Sequence, residues 1–230
     1  MSQVKSISSP LPNLFKLISK QGPSTDKEKE DISKILYTSV VGSLMYDIVC
    51  IRPDTAHDIG IVSCFMSNLG KQHWEAKCNM RYLRGTSSLK LTFGDGKPIL
   101  AEYINSDMAR DLDSKKSASS YLMTFASGAV SWQLMLQKCV ALSITEVEYI
   151  AAAEACKEML WIKRFIPKLG FKQQRYVIYY DNQSTIDHLG KNATFHSITK
   201  HIDVRYHWLR DALNDELFEL EKIYTDHNWI

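Results

Sequence analysis

Three carboxylates stand where elements of secondary structure are expected to end. Asp107 follows a strand that should finish near Ile104, Glu148 lies in about the first turn of a long helix, and Asp181 comes directly after the apolar run from Tyr176 to Tyr180. In open α/β sheets, sites form beyond strand ends, where the following helix turns away. Acidic groups converging there with no basic partner close in sequence repel one another unless a divalent cation neutralises them. Oxygen ligands favour Mg²⁺ or Mn²⁺. Two such ions can clamp a phosphodiester for in-line hydrolysis. Each residue also has an ordinary structural role open to it. An Asp after a strand forms a turn or caps the next helix, as Asp181 could, and a Glu in a first turn offsets the helix dipole.

Other constellations carry less. His196, His201 and His207 gather around Lys200-His201-Ile202-Asp203, but their spacings of five and six do not share a helix face and no cysteine is near, so capping and surface contacts are expected rather than zinc. The sequence holds no G-x-S-x-G, no P-loop and no G-x-G-x-x-G. Lys157, Lys163, Arg164, Lys168, Lys172 and Arg175 collect on and just after the long helix. They either track a phosphate backbone or form a solvated face.

The elements that must position the carboxylates follow from periodicity. Residues 1–34, broken by Pro10, Pro12, Gly22 and Pro23, read as a flexible arm with a short helix at Asp26 to Ser33. Residues 35–88 read as helices: Tyr37, Val41, Leu44, Met45 and Ile48 recur at spacings of three and four, Pro53 starts a second helix, Ala56 to Met66, and His73 to Leu83 is a third ended by Gly85. From residue 89 the period shortens. Leu89 to Phe93 and Ile99 to Ile104 are expected to pair across Gly94-Asp95-Gly96, and Tyr121 to Phe125 with Ala129 to Leu134 across Ser127-Gly128. A helix from about Thr145 to Leu169 follows, closed by Gly170. Then come the Tyr176 to Tyr180 strand, helices at Ser184 to Leu189 and Lys200 to Leu213, and a last strand at Leu217 to Tyr224. This is an α/β chain with three antiparallel strands, a helix, then strand–helix–helix–strand.

Composition bounds the function. The chain has 230 residues, 45% of them hydrophobic, enough to bury a core. A net charge of +2 excludes a polybasic, histone-like protein, so any nucleic-acid binding must be local. Five scattered cysteines (Cys50, Cys64, Cys78, Cys139 and Cys156) with no C-x-x-C pair suggest reduced thiols in an intracellular protein. Residues 117–137 carry no charge over 21 residues, a length that could span a bilayer, but their hydroxyl and amide side chains and the Ser127-Gly128 turn favour a hairpin and no membrane.

Several blocks, in order along the chain, resemble the Pol polyprotein of plant copia-type retrotransposons. They are Val41-Gly42-Ser43-Leu44-Met45-Tyr46, Arg52-Pro53-Asp54, Arg81-Tyr82-Leu83-Arg84-Gly85-Thr86, Ala141-Leu142-Ser143 through Thr145-Glu146-Val147-Glu148-Tyr149, Asp181-Asn182-Gln183-Ser184, and Lys200-His201-Ile202-Asp203-Val204-Arg205-Tyr206-His207. The resemblance implies the end of a reverse transcriptase followed by a ribonuclease H-like domain: a mixed sheet of about five strands with flanking helices, preceded by a small helical segment. The family's polymerase aspartates lie upstream of this sequence, so no polymerase activity is implied. The implied activity is cleavage of the RNA strand of RNA–DNA hybrids by four carboxylates and two Mg²⁺ or Mn²⁺ ions, with other Pol fragments as possible partners.

Carried over residue by residue, the family's helix glutamate falls on Glu148, not Glu146, and its second-strand aspartate on Asp181. Its first aspartate lies in a G-Y-x-D-A-D-x-A-G-D pattern. Here the sequence reads Glu102-Tyr103-Ile104-Asn105-Ser106-Asp107-Met108-Ala109-Arg110-Asp111. The metal-binding aspartate is therefore Asn105, whose amide oxygen coordinates without negative charge. Asp107, two residues along the strand and on the same side, is the candidate substitute. The fourth carboxylate is expected beyond Ile230, where the sequence stops.

Overall fold

The computed structural model describes residues 5–9, 18–33, 37–66, 68–70, 77–94, 96–181 and 200–223. The chain divides into two units, Met1–Leu91 and Thr92–Ile230.

The first unit is helical: α1 (Asp26–Ser33), α2 (Tyr37–Cys50), α3 (Ala56–Ser63) and α4 (Lys77–Gly85). Glu28 begins α1 by reaching back to the backbone N–H groups of Ser24 and Thr25, while Thr25 Oγ1 accepts from Glu28 N, a reciprocal cap. The buried stripe of α2 is Tyr37, Val41 and Leu44. Tyr37 and Val41 pack on Val62 and Phe65, and the Tyr37 hydroxyl donates to the Val62 carbonyl at 3.1 Å. Met45, expected on this stripe, is 41% exposed; it sits one residue, about 100° of helix, past Leu44. Arg52 donates twice to Asp54, at 2.9 and 2.7 Å, and once to Thr86 Oγ1, and the Tyr82 hydroxyl donates to Asp54. Two blocks distant in sequence, Arg52-Pro53-Asp54 and Arg81 to Thr86, are thus one network. Residues of the expected arm touch this unit: Arg81 Nε donates to the Lys5 carbonyl and Asn68 Nδ2 to that of Ser19.

The second unit is a five-stranded mixed sheet with helices: β1 (Leu100–Asp107), β2 (Ala118–Phe125), β3 (Gly128–Leu136), α5 (Ile144–Phe165), β4 (Val177–Tyr180), α6 (Lys200–Asn214) and β5 (Glu219–Lys222). The order across the sheet is β3-β2-β1-β4-β5; β1, β2 and β3 are antiparallel, and β4 runs parallel to both β1 and β5. This is the ribonuclease H-like sheet with flanking helices that the resemblance implies. Leu100 and Ile104 of β1, Met123 of β2 and Ile178 of β4 form a core with Ala151, Ala152, Ala155, Cys156 and Met159 of α5 and Leu209 and Ala212 of α6. The run of alanines lets α5 lie close on the strands.

Three expectations need correction. Leu89 to Phe93 forms no strand. Its expected partner is β1, which pairs with β2 and β4 on its two edges and has no free edge left. The β2–β3 turn sits one residue earlier than expected, on Ala126 and Ser127, with φ of 49° and 66°. Gly128 is not the turn residue; a Cβ there would overlap the Phe93 ring and the Thr92 carbonyl. β1 also runs on through Asp107, so that residue ends the strand rather than following it. The long helix is α-helical to Phe165 and finishes as a 3-10 turn, Ile166–Leu169, before Gly170 at φ 86°. The helix expected at Ser184 to Leu189 lies outside the described residues. No single described helix is long and apolar enough to cross a membrane.

Candidate active site

Strand alternation sorts β1 into two faces. Leu100, Glu102 and Ile104 are buried against the α5 core, while Ala101, Tyr103 and Asn105 on the opposite face are half-buried. On that second face Tyr103 stacks on Tyr179 of β4, ring centroids 5.1 Å apart. Asn105 and Asp107 share its parity.

The start of α5 is built to hold Glu148. Ser143 is the N-cap, its Oγ accepting from Glu146 N at 3.2 Å, and Glu146 Oε2 accepts from Leu142 N at 2.6 Å. Glu146 is therefore occupied in a capping box. Glu148, the fifth residue of α5, is 7% exposed. Gln137, just past β3, donates through Nε2 to the Val147 carbonyl and to Ser119 Oγ, which ties the first turns of α5 to the sheet.

Glu148 and Asp181 approach a common group. Tyr180 ends β4, is 2% exposed, and its hydroxyl has no hydrogen-bond partner among the described residues. Burial, with the nearby Cys156, Glu148, Glu102 and Asp181, pushes this phenol well above its ordinary pKa. Asp181 follows immediately and is half-buried.

Asp107 does not join them as a bare carboxylate. It is exposed and accepts a charged hydrogen bond from Arg110 at 2.8 Å. Arg110 stands where the pattern quoted above has glycine. The Asn105 backbone carbonyl accepts from Ser120 Oγ on β2. His207 is exposed, whereas His196 and the side chain of His201 lie outside the described residues. Among the described residues, Cys64, Cys78, Cys139 and Cys156 form no disulfide.

The donor set has the oxygen chemistry of a hard divalent ion, but not the number that two ions need. Among the described residues no group of three or more His, Cys, Asp or Glu side chains is arranged to hold a metal. One carboxylate position is an amide, and the candidate substitute is already neutralised by Arg110.

Sequence reasoning missed Glu102. Its side chain is 0% exposed, and neither carboxylate oxygen has a hydrogen-bond partner among the described residues. Burial, with Glu158 close by, holds its pKa well above the ordinary carboxylate value. The signal was present: Glu102 occupies the inward parity between Leu100 and Ile104, at a position where the quoted pattern has glycine.

No family model matches the chain. It is 54% identical over 229 residues to the retrovirus-related Pol polyprotein from transposon TNT 1-94 of Nicotiana tabacum, covering 99% of this chain and 17% of that protein. It is 31% identical over 191 residues to the corresponding polyprotein from transposon RE1 of Arabidopsis thaliana, covering 82% of this chain and 13% of that protein. The chain thus spans less than a fifth of the polyproteins it matches. It is also 41% identical over 133 residues to the secreted RxLR effector protein 161 of Plasmopara viticola, covering 57% of this chain and 94% of that protein. Among solved structures, LC11-RNase H1 isolated from compost covers 57% of this chain and 88% of its own at 10% identity and a TM-score of 0.42. The foamy viral protease-reverse transcriptase in complex with dsDNA covers 87% and 42% at 11% identity and a TM-score of 0.44. With more than half of its residues identical to the tobacco polyprotein over 229 residues, the chain belongs to the retrovirus-related Pol polyproteins of plant transposons.

Proposed function

We propose that this segment works on RNA–DNA hybrids as the ribonuclease H part of a retrotransposon Pol polyprotein. Glu148 and Asp181 would hold Mg²⁺ or Mn²⁺, the ion that supplies charge neutralisation for cleavage of the RNA strand. The observation that carries the reading is the division of labour on α5: Glu146 is used up in the cap, while Glu148 is held buried near the same phenol as Asp181. Turnover is expected to be low. Losing one preorganised electrostatic group in an active site costs about 10²–10³ in rate, and Asn105 removes one.

A second reading has its own observation. The Asp107–Arg110 pair neutralises the residue that would replace the lost carboxylate, which favours a catalytically degenerate fragment that at most binds nucleic acid. Cleavage of a labelled RNA–DNA hybrid in Mg²⁺ and in Mn²⁺, with Asn105→Asp and Glu148→Gln alongside, separates the two. Cleavage by the natural sequence that Glu148→Gln abolishes establishes the enzyme. No cleavage by the natural sequence, with some restored by Asn105→Asp, establishes the degenerate fragment.

A further inference from the structure

Cationic charge is concentrated in one short stretch. Residues 157–175 carry six basic side chains and one carboxylate, while the rest of the chain carries 22 and 25. The structure divides these six. Lys157 is paired with Glu154 at 3.0 Å, and Arg175 with Glu219 and Glu221. Lys163 donates to the Leu217 carbonyl and lies over the Tyr176 ring. Arg164, Lys168 and Lys172 are exposed, and no hydrogen bond or ion pair holds them among the described residues.

Two aromatic rings stand beside these three cations. Trp161 is 61% exposed and Phe165 43%, and the two stack on each other, centroids 5.6 Å apart and 11° from parallel. Trp161, Arg164, Phe165 and Lys168 are spaced by three and four, so they share one face of the end of α5 and of the turn that follows it. The pair presents a flat apolar surface edged by positive charge. Nucleobases stack on such rings while cations track the phosphates, and the combination tolerates any sequence.

We infer that the Trp161–Phe165 stack and the neighbouring Arg164, Lys168 and Lys172 form a binding surface for single-stranded nucleic acid. It is separate from the candidate active site. Trp161 lies thirteen residues beyond Glu148, about 20 Å along the helix and about 140° around it. The occupant is a polyanion with flat bases because no carboxylate lies between residues 159 and 175, and Glu158, one turn before Trp161, is turned to Ser131 of β3, whose hydroxyl donates to it.

The test is fluorescence anisotropy of a labelled twenty-nucleotide oligo-dT with the full chain, in EDTA so that no metal-dependent step takes part. Binding is expected to weaken roughly twenty-fold between about 50 and 200 mM salt, the dependence for three phosphates neutralised on a single strand. Trp161→Ala should weaken it about ten-fold, within the range for one base–aromatic stack, and Arg164→Glu with Lys168→Glu should flatten the salt dependence. Lys20→Glu with Lys27→Glu, which changes net charge equally, should have little effect. No binding by the natural sequence overturns the proposal, as does equal weakening by the two charge-reversal pairs. Sedimentation of the same variants supplies a further readout. Self-association lost in Trp161→Ala with oligonucleotide affinity unchanged would assign the face to a second copy of the chain and also overturn it. Failure of hybrid cleavage leaves every one of these outcomes readable.

Discussion

Gln137 Nε2 donates at 2.8 Å to the carbonyl oxygen of Val147, the residue immediately before Glu148. The same nitrogen donates to Ser119 Oγ on β2 at 2.7 Å. One amide therefore fixes the start of α5 to the sheet. Gln137→Ala should lower stability by about 1–3 kcal/mol, the range for losing buried hydrogen bonds. A urea unfolding midpoint checks it. A midpoint unchanged from the natural sequence would mean that the packing of α5 alone sets its place.

Glu102 makes stability fall with rising pH. Its folded-state pKa is raised by burial and by Glu158, so above the ordinary value of 4.5 the folded state keeps a proton that the unfolded state releases. Stability is full below that value and declines above it until pH passes the folded pKa, by at most about 1.4 kcal/mol per pH unit. Facing this carboxyl are Glu158 and Cys156 from α5, Tyr121 from β2 and Tyr180 from β4. Glu102→Gln should remove most of the decline above about pH 4.5 in thermal melts. A slope that survives the substitution would assign it to another group.

Ala126 and Ser127 both occupy the left-handed region in a two-residue turn. Side-chain-bearing residues there cost roughly 1–2 kcal/mol each, and Asn-Gly is the favoured pair. Ala126→Asn with Ser127→Gly should raise stability by about 1 kcal/mol or more. Differential scanning calorimetry reads this as a higher melting temperature, and a lower one would mean that the Ala126 and Ser127 side chains stabilise the turn by more than their backbone conformation costs.

Asn105→Asp with Arg110→Gly restores one carboxylate and releases another. Melting at millimolar Mg²⁺ against EDTA should then show metal-dependent stabilisation larger than in the natural sequence, reaching about 1.4 kcal/mol when the ion is ten times its dissociation constant. Adding Glu148→Gln should cancel the gain. Adding Glu146→Gln should not, because glutamine also completes a capping box. Equal effects of the two glutamine substitutions would overturn the assignment of Glu148.

Much of this architecture was legible because local and global preferences agreed. The helix expected from about Thr145 is α5, Gly170 closes the turn that finishes it, and the run expected from Ile99 to Ile104 is β1. The errors arose where a local signal lacked its long-range partner. Leu89 to Phe93 has strand-like residues, but both edges of its expected partner β1 are taken by β2 and β4. Gly128 resembles a turn residue, yet its small size serves the approach of Phe93. Arg110 and Asp107 are three apart in a sequence read as a loop, so their pairing was not visible until β1 was seen to extend that far. Glu102 went unread for a different reason. Its type says surface and its parity says core, and only the fold shows that parity prevailed.

The sheet ends on β3, nine residues from Gly128 to Leu136 without a single charge. Val130 and Leu136 are partly exposed along it. β5, at the other end, is short and carries Glu219, Glu221 and Lys222. Charge and brevity are the usual defences of an outer strand against recruiting another chain, and only β5 has them. Aggregation of the purified protein should therefore begin by strand addition at β3, and a lysine placed at Val130 should slow it without touching the site around Glu148.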